Sequence, residues 1–207
     1  MASEDGVVWH LSSVSKEDRR QRNGHHSGVI WLTGLSGAGK STLAAGVETS
    51  LHGLGVQVYV LDGDNLRHGL TRGLGFDSAG RSENIRRIGE TAKLFVDAGL
   101  IVAVAAISPY REDRKLARDR FAPDEFIEVF VDCPLSECER RDPKGLYRKA
   151  RSGDIAQFTG ISAPYERPLR PEMTIDTSCS TARESVSSII QLLIHKRWIS
   201  EQDFAES

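Results

Sequence analysis

One octapeptide constrains this chain more than anything else in it: Gly34-Leu35-Ser36-Gly37-Ala38-Gly39-Lys40-Ser41. It fits G-x-x-x-x-G-K-[ST] at every required place. The glycines let a backbone turn its N–H groups inward around an anion. The apolar run 29–33 precedes it and a segment of helical period follows, so the loop joins a buried strand to a helix N-terminus, whose positive end favours phosphate. On this reading residues 34–41 and Thr42 bind the phosphates of ATP. Lys40 adds a point charge at the β- and γ-phosphates, and the Ser41 hydroxyl is a ligand for Mg²⁺. The motif specifies a nucleotide; by itself it does not specify a kinase.

Further apolar runs lie at 56–61, 100–107 and 126–131, with a weaker one at 173–176. Their length and β-branched content suit strands buried on both faces of a parallel sheet. Between them, Ile85, Ile88, Ala92, Phe95 and Val96 share one helical face, as do Val186, Ile189, Ile190, Leu193 and Ile194. Thr181 with Glu184 offers a capping box for the last helix. This alternation predicts a three-layer α/β fold, a central parallel sheet flanked by helices. Residues 1–28 read as an N-terminal extension and 29–207 as one kinase domain. Two stretches break the pattern: 62–82 is rich in Gly, Asp and Arg, and 142–171 in Gly, Pro and charge; the second is expected to include a mobile lid.

With 27 basic and 29 acidic residues the chain has no global basic field, which argues against nucleic acid as a partner. No apolar run is long enough to span a bilayer, and the N-terminus does not resemble a secretory signal. Cys133, Cys138 and Cys179 are odd in number and irregular in spacing; they read as reduced thiols in a cytoplasmic protein. His25 and His26 are two adjacent histidines without further ligands, so solvation outweighs metal binding.

Beyond the loop, the second strand leads into Asp62-Gly63-Asp64-Asn65-Leu66-Arg67. Ligands of open α/β sheets gather at the strands' carboxyl ends. One of these carboxylates can hold Mg²⁺ through water and one can accept the proton of an attacking hydroxyl. Arg67 can clamp an anion. The alternative is a solvated D-G turn. Arg81, Arg86 and Arg87 stand at the mouth of a helix, where an anionic acceptor or plain solvent would suit them. Ser108 follows the third strand and reads equally as a helix cap. Phe76 and Phe158, taken alone, read as core.

Taken together, the segments DGDNLRHGL (62–70), GLGF (73–76), ENIRR (83–87), ISPYR (107–111), RDPKGLY (141–147) and FTGISAPYE (158–166) resemble the adenylylsulfate kinase family. The similarity runs from Val8-Trp9-His10 to the final helix, and the length suits the stand-alone form without a sulfurylase domain. The resemblance implies transfer of the ATP γ-phosphoryl group to the ribose 3′-hydroxyl of adenosine 5′-phosphosulfate (APS), giving 3′-phosphoadenosine 5′-phosphosulfate (PAPS) and ADP, in a cytoplasmic homodimer. It implies that Phe76 and Phe158 stack on the substrate adenine and that Arg67, Arg81 and Asn84 hold the phosphosulfate and ribose. Lys144, Ile107 and Ser108 complete that pocket, and Arg141 flanks the adenine of ATP. Lys40, Asp64, Asp62 and Ser108 form the catalytic set, with Asp64 rather than Ser108 orienting the hydroxyl. One departure is Ala106, where many members carry Phe. The rival readings are a kinase for another small acceptor and a nucleotide switch; the guanine-reading N-K-x-D of GTPases is absent from the sequence.

Overall fold

The computed structural model describes Val8, His10 and residues 12–200; Trp9, the first residues of the extension and residues 201–207 lie outside it. Five strands form one parallel sheet: β1 (Gly28–Thr33), β2 (Val58–Asp62), β3 (Ile101–Ala105), β4 (Phe126–Asp132) and β5 (Met173–Asp176). Their order across the sheet is β2-β3-β1-β4-β5. β1 is central and buried at every residue, pairing with β3 from Gly28 to Leu32 and with β4 from Val29 to Thr33.

Strand alternation sends successive β1 side chains to opposite faces. Ile30 and Leu32 join the core under α2 (Lys40–Gly53) and α8 (Ala182–His195). Val29 and Trp31 join the other core, under α4 (Ser78–Asp97) and α5 (Arg111–Arg118). The result is the expected helix–sheet–helix sandwich. Ile85, Ile88, Ala92 and Val96 are the buried stripe of α4, while Phe95 stays partly exposed and stacks on Tyr59 of the edge strand at 5.1 Å. Val186, Ile189, Ile190 and Leu193 are the buried stripe of α8, which begins with the Thr181–Glu184 capping box.

The two irregular stretches contain structure that their composition hid. In the first, α3 (Gly63–Leu66) and the front of α4 fold out of the Gly- and Asp-rich run, with Asp62 and Asp77 as side-chain caps. In the second lies α7 (Leu146–Arg151), five residues after α6 (Leu135–Arg141). Before β1, helix α1 (Lys16–Asn23) is fastened to the amino ends of the strands: Arg20 donates to Ser27 O at 2.8 Å and Asn23 to Gly99 O at 3.0 Å. That is the edge opposite the phosphate loop.

Candidate active site

The phosphate loop leaves β1 through Gly34, at φ 154°. A Cβ there would sit 2.4 Å from the Val131 carbonyl of β4, so only glycine lets the loop cross its neighbouring strand. Gly37 and Gly39 also have positive φ, 74° and 101°, and Gly39 starts α2. The helix therefore begins where phosphate would lie. Lys40, 8 % exposed, folds back to donate to Leu35 O at 2.7 Å. Burial is the main reason its pKa falls to about 8, although the Asp64 and Asp62 carboxylates oppose the fall. Ser36 and Ala38 lie within the loop, and Thr42 in the first turn of α2.

The Ser41 hydroxyl donates to Asp62 Oδ2 at 2.6 Å, and Asp62 Oδ1 accepts from Asp64 N at 2.9 Å. Asp64 pairs with Lys144 across the cleft, and both side chains are more than half exposed. An ion pair in that setting is weak and easily exchanged for a ligand. Lys40, Asp62, Asp64 and Lys144 thus share one electrostatic neighbourhood, the geometry on which the kinase reading depends.

Across the cleft, Arg81 organises the other wall. Its Nε donates to Phe76 O at 2.6 Å, Nη1 to Thr159 Oγ1 at 2.7 Å and Nη2 to Gln157 O at 2.6 Å. One guanidinium therefore holds Phe76 and the residues on both sides of Phe158. Arg67 donates to Leu74 O at 2.9 Å, and its guanidinium lies 4.2 Å over the Phe76 ring. Among the described residues neither Arg67 nor Arg81 has a carboxylate ion partner. Both bond only neutral oxygens, and burial lowers both pKa values. Beside them Asn84 is 6 % exposed, with Oδ1 buried and unpartnered. Phe76 is exposed, whereas Phe158 is buried and edge-packed on Tyr147.

Arg86 and Arg87 do not join this wall. Both turn to Glu83, at 2.7 and 2.8 Å, because i,i+3 and i,i+4 spacing keeps the three side chains on one helical face. Ser108 is 1 % exposed, at φ 42°. Its hydroxyl accepts from Trp31 Nε1 at 3.1 Å and donates towards Thr33 Oγ1 at 2.9 Å. It lies in a buried network beneath the cleft, and it does not cap α5, whose N-cap is Tyr110. Thr33 Oγ1 donates to Ile107 O at 2.8 Å. Arg141 spans from the phosphate loop (Gly37 O, 3.5 Å) to Thr177 O at 2.7 Å. His25 is spent on structure, with Nε2 accepting from Gln57 N at 3.0 Å and Nδ1 facing His26 O.

Several residues here were not singled out from the sequence. Tyr147 donates to Ser36 O at 2.9 Å. Tyr165 meets Thr33 Oγ1 at 2.9 Å. Arg114, 3 % exposed, joins Ser108 O, Glu166 O and the Glu128 carboxylate at 2.6, 2.7 and 2.8 Å. Tyr147 and Tyr165 stand inside the RDPKGLY and FTGISAPYE segments, which was the available signal; Arg114 had none.

Comparison with known proteins bears on the family and the fold. Residues 26–176 match the adenylylsulphate kinase family. The adenylyl-sulfate kinase of Geotalea daltonii is 60 % identical over 184 residues, 89 % of this chain and 91 % of that one. The structure of the Mycobacterium tuberculosis APS kinase in complex with AMPPNP and APS superposes with a TM-score of 0.79 at 50 % identity, over 82 % of this chain and 98 % of that one. A hexameric APS kinase from Thiobacillus denitrificans, 31 % identical with a TM-score of 0.65, aligns with 88 % of this chain and 31 % of its own. The chain belongs to the adenylylsulphate kinase family.

Proposed function

We infer that this chain transfers the γ-phosphoryl group of ATP to the 3′-hydroxyl of adenosine 5′-phosphosulfate, releasing ADP and 3′-phosphoadenosine 5′-phosphosulfate. The observation that carries the acceptor is the pair Arg67 and Arg81: two part-buried cations, without carboxylate partners among the described residues, beside the exposed Phe76 ring. Unspent positive charge next to an aromatic face suits an anionic nucleotide. Asn84 Oδ1 is an acceptor waiting for a hydroxyl or amine.

In the mechanism, the loop amides and Lys40 take up the negative charge of the γ-phosphoryl group. Lys40 gives up its bond to Leu35 O to do so. Asp64, released from Lys144, orients the ribose hydroxyl and accepts its proton. The new O–P bond forms as the bond to the β-phosphate oxygen breaks. The Ser41 hydroxyl and the Asp62 carboxylate are hard oxygen donors already in contact, which fits Mg²⁺ held by few protein ligands plus phosphates and water. Bound there, the cation would neutralise phosphate charge. Ser108 has a positioning place in this reading: it fixes the Ile107–Ser108 backbone beneath the acceptor.

Residues 142–171 form the lid, which carries Lys144 and Phe158 to the cleft. A homodimer is the expected assembly, to be checked by light scattering, since a relative is hexameric. No helix among the described residues is long and apolar enough to cross a membrane, and cell fractionation tests the cytoplasmic placement. The decisive assay is incubation with ATP, Mg²⁺ and adenosine 5′-phosphosulfate, with the product identified by mass. ADP formation should depend on the acceptor. ADP release with other acceptors but not this one would overturn the reading.

A further inference from the structure

Segment 141–147 touches the phosphate loop at two successive peptides. Arg141 reaches Gly37 O, and the Tyr147 hydroxyl donates to Ser36 O at 2.9 Å. Tyr147 is 2 % exposed. Its ring also packs edge-on against Phe158, with centroids 4.9 Å apart and planes at 77°. The backbone beneath the ring is fixed as well, since the Asp142 carboxylate accepts from Tyr147 N and Arg148 N, each at 3.1 Å. The ring therefore has little room to shift unless the loop or Phe158 shifts with it.

The Ser36 carbonyl and the Gly37 N–H belong to one planar peptide unit. A hydrogen bond that holds the carbonyl also sets the direction of that N–H, one of the groups offered to phosphate. Bound phosphate would fix the same plane from its other side.

We propose that Tyr147 is a positioning residue that couples the two substrates: it links the Ser36–Gly37 peptide of the nucleotide loop to Phe158 of the acceptor wall, so that bound nucleotide tightens acceptor binding. The proposal rests on the reading of Phe158 as part of that wall. Arg141 also grips the loop but bonds Thr177 rather than Phe158, so it does not make the same link.

The test is calorimetric. The Kd of adenosine 5′-phosphosulfate is measured on the full chain with and without saturating Mg-AMPPNP. Wild type should bind the acceptor more tightly with nucleotide present. Tyr147→Phe keeps the packing on Phe158 and loses the bond to Ser36. Its nucleotide-dependent gain should shrink at least threefold, with acceptor affinity in the absence of nucleotide within about twofold of wild type, since coupling is a property of the pair of sites. By reciprocity, the acceptor should tighten Mg-AMPPNP binding to wild type by the same factor. A wild-type gain of one, or an unchanged gain in Tyr147→Phe, overturns the coupling. Phe158→Ala separates the two layers. If it leaves acceptor Kd unchanged, the wall assignment itself falls. If it weakens the acceptor while Tyr147→Phe keeps the full gain, only the coupling falls.

Discussion

Lys40 shows how one buried cation sets a pH limit. Its pKa is lowered to about 8, chiefly by burial. In the free protein it is charged below that pH and neutral above it. ATP affinity should therefore be level near pH 7 to 7.5 and fall as pH rises through 8, approaching about tenfold per unit. Lys40→Met should bind weakly and without that break; titration calorimetry between pH 7 and 9.5 checks both. At the acceptor wall, Arg81→Lys cannot reproduce three directed bonds to Phe76, Thr159 and Gln157. Acceptor KM should rise at least about tenfold, with ATP KM little changed. Ser108→Ala separates a positioning role from a catalytic one. Its hydroxyl is buried and already bonded, so the cost should be about 1–3 kcal/mol of stability. kcat should stay measurable, and its loss to background in a folded variant would return Ser108 to the chemistry.

At the scale of elements, the site is assembled by connections between segments far apart in sequence. The segment after β3 and the end of the stretch 142–171 meet where Glu166 N donates to Pro109 O at 2.8 Å, and Arg114 of α5 grips both sides of that junction. Arg114→Met would leave the buried Glu128 carboxylate only its longer pairing with Arg118 at 3.5 Å, a loss of about 3 kcal/mol, the lower end for a broken buried pair. Urea denaturation should show that loss, and any folded fraction should show a raised acceptor KM. The sequence made the strands and the stripes of α4 and α8 legible because burial imposes a period. It left α3, α7 and the front of α4 looking like loops. The helical state of α3 and the front of α4 rests on the caps Asp62 and Asp77; that of α7 rests on the Asp142 carboxylate, which accepts from Tyr147 N and Arg148 N, and on Leu146, Tyr147 and Ala150 packed on the core, a face too short to show a period.

Across the whole molecule, the cleft and a second cluster that is structural alone occupy opposite ends of the sheet. The carboxyl ends of the strands hold the cleft. The amino ends hold α1 and Trp198, which is 2 % exposed, stacks on His26 at 5.4 Å and donates to Asp124 O at 3.0 Å. Its ring lies so close to Gly28 that a Cβ there would be 2.3 Å away. Trp198→Ala should destabilise by about 3–5 kcal/mol. Below its lowered melting point it should keep wild-type KM values, because nothing at the cleft rests on that ring. A matching rise in acceptor KM would show that the two ends are not separable.

The sequence by itself determined the nucleotide loop, the parallel α/β architecture and the family, since these are written in local glycine spacing, in burial periods and in linked motifs. Only the tertiary structure decided which polar residues share the cleft. It turned Arg86 and Arg87 to Glu83, set Ser108 under the surface, and joined Arg81, Arg114 and Tyr147 to partners from roughly fifty to more than a hundred positions away. The reason is physical: a side chain's direction and its hydrogen-bond partners depend on which distant backbone the fold brings beside it, and no local pattern records that.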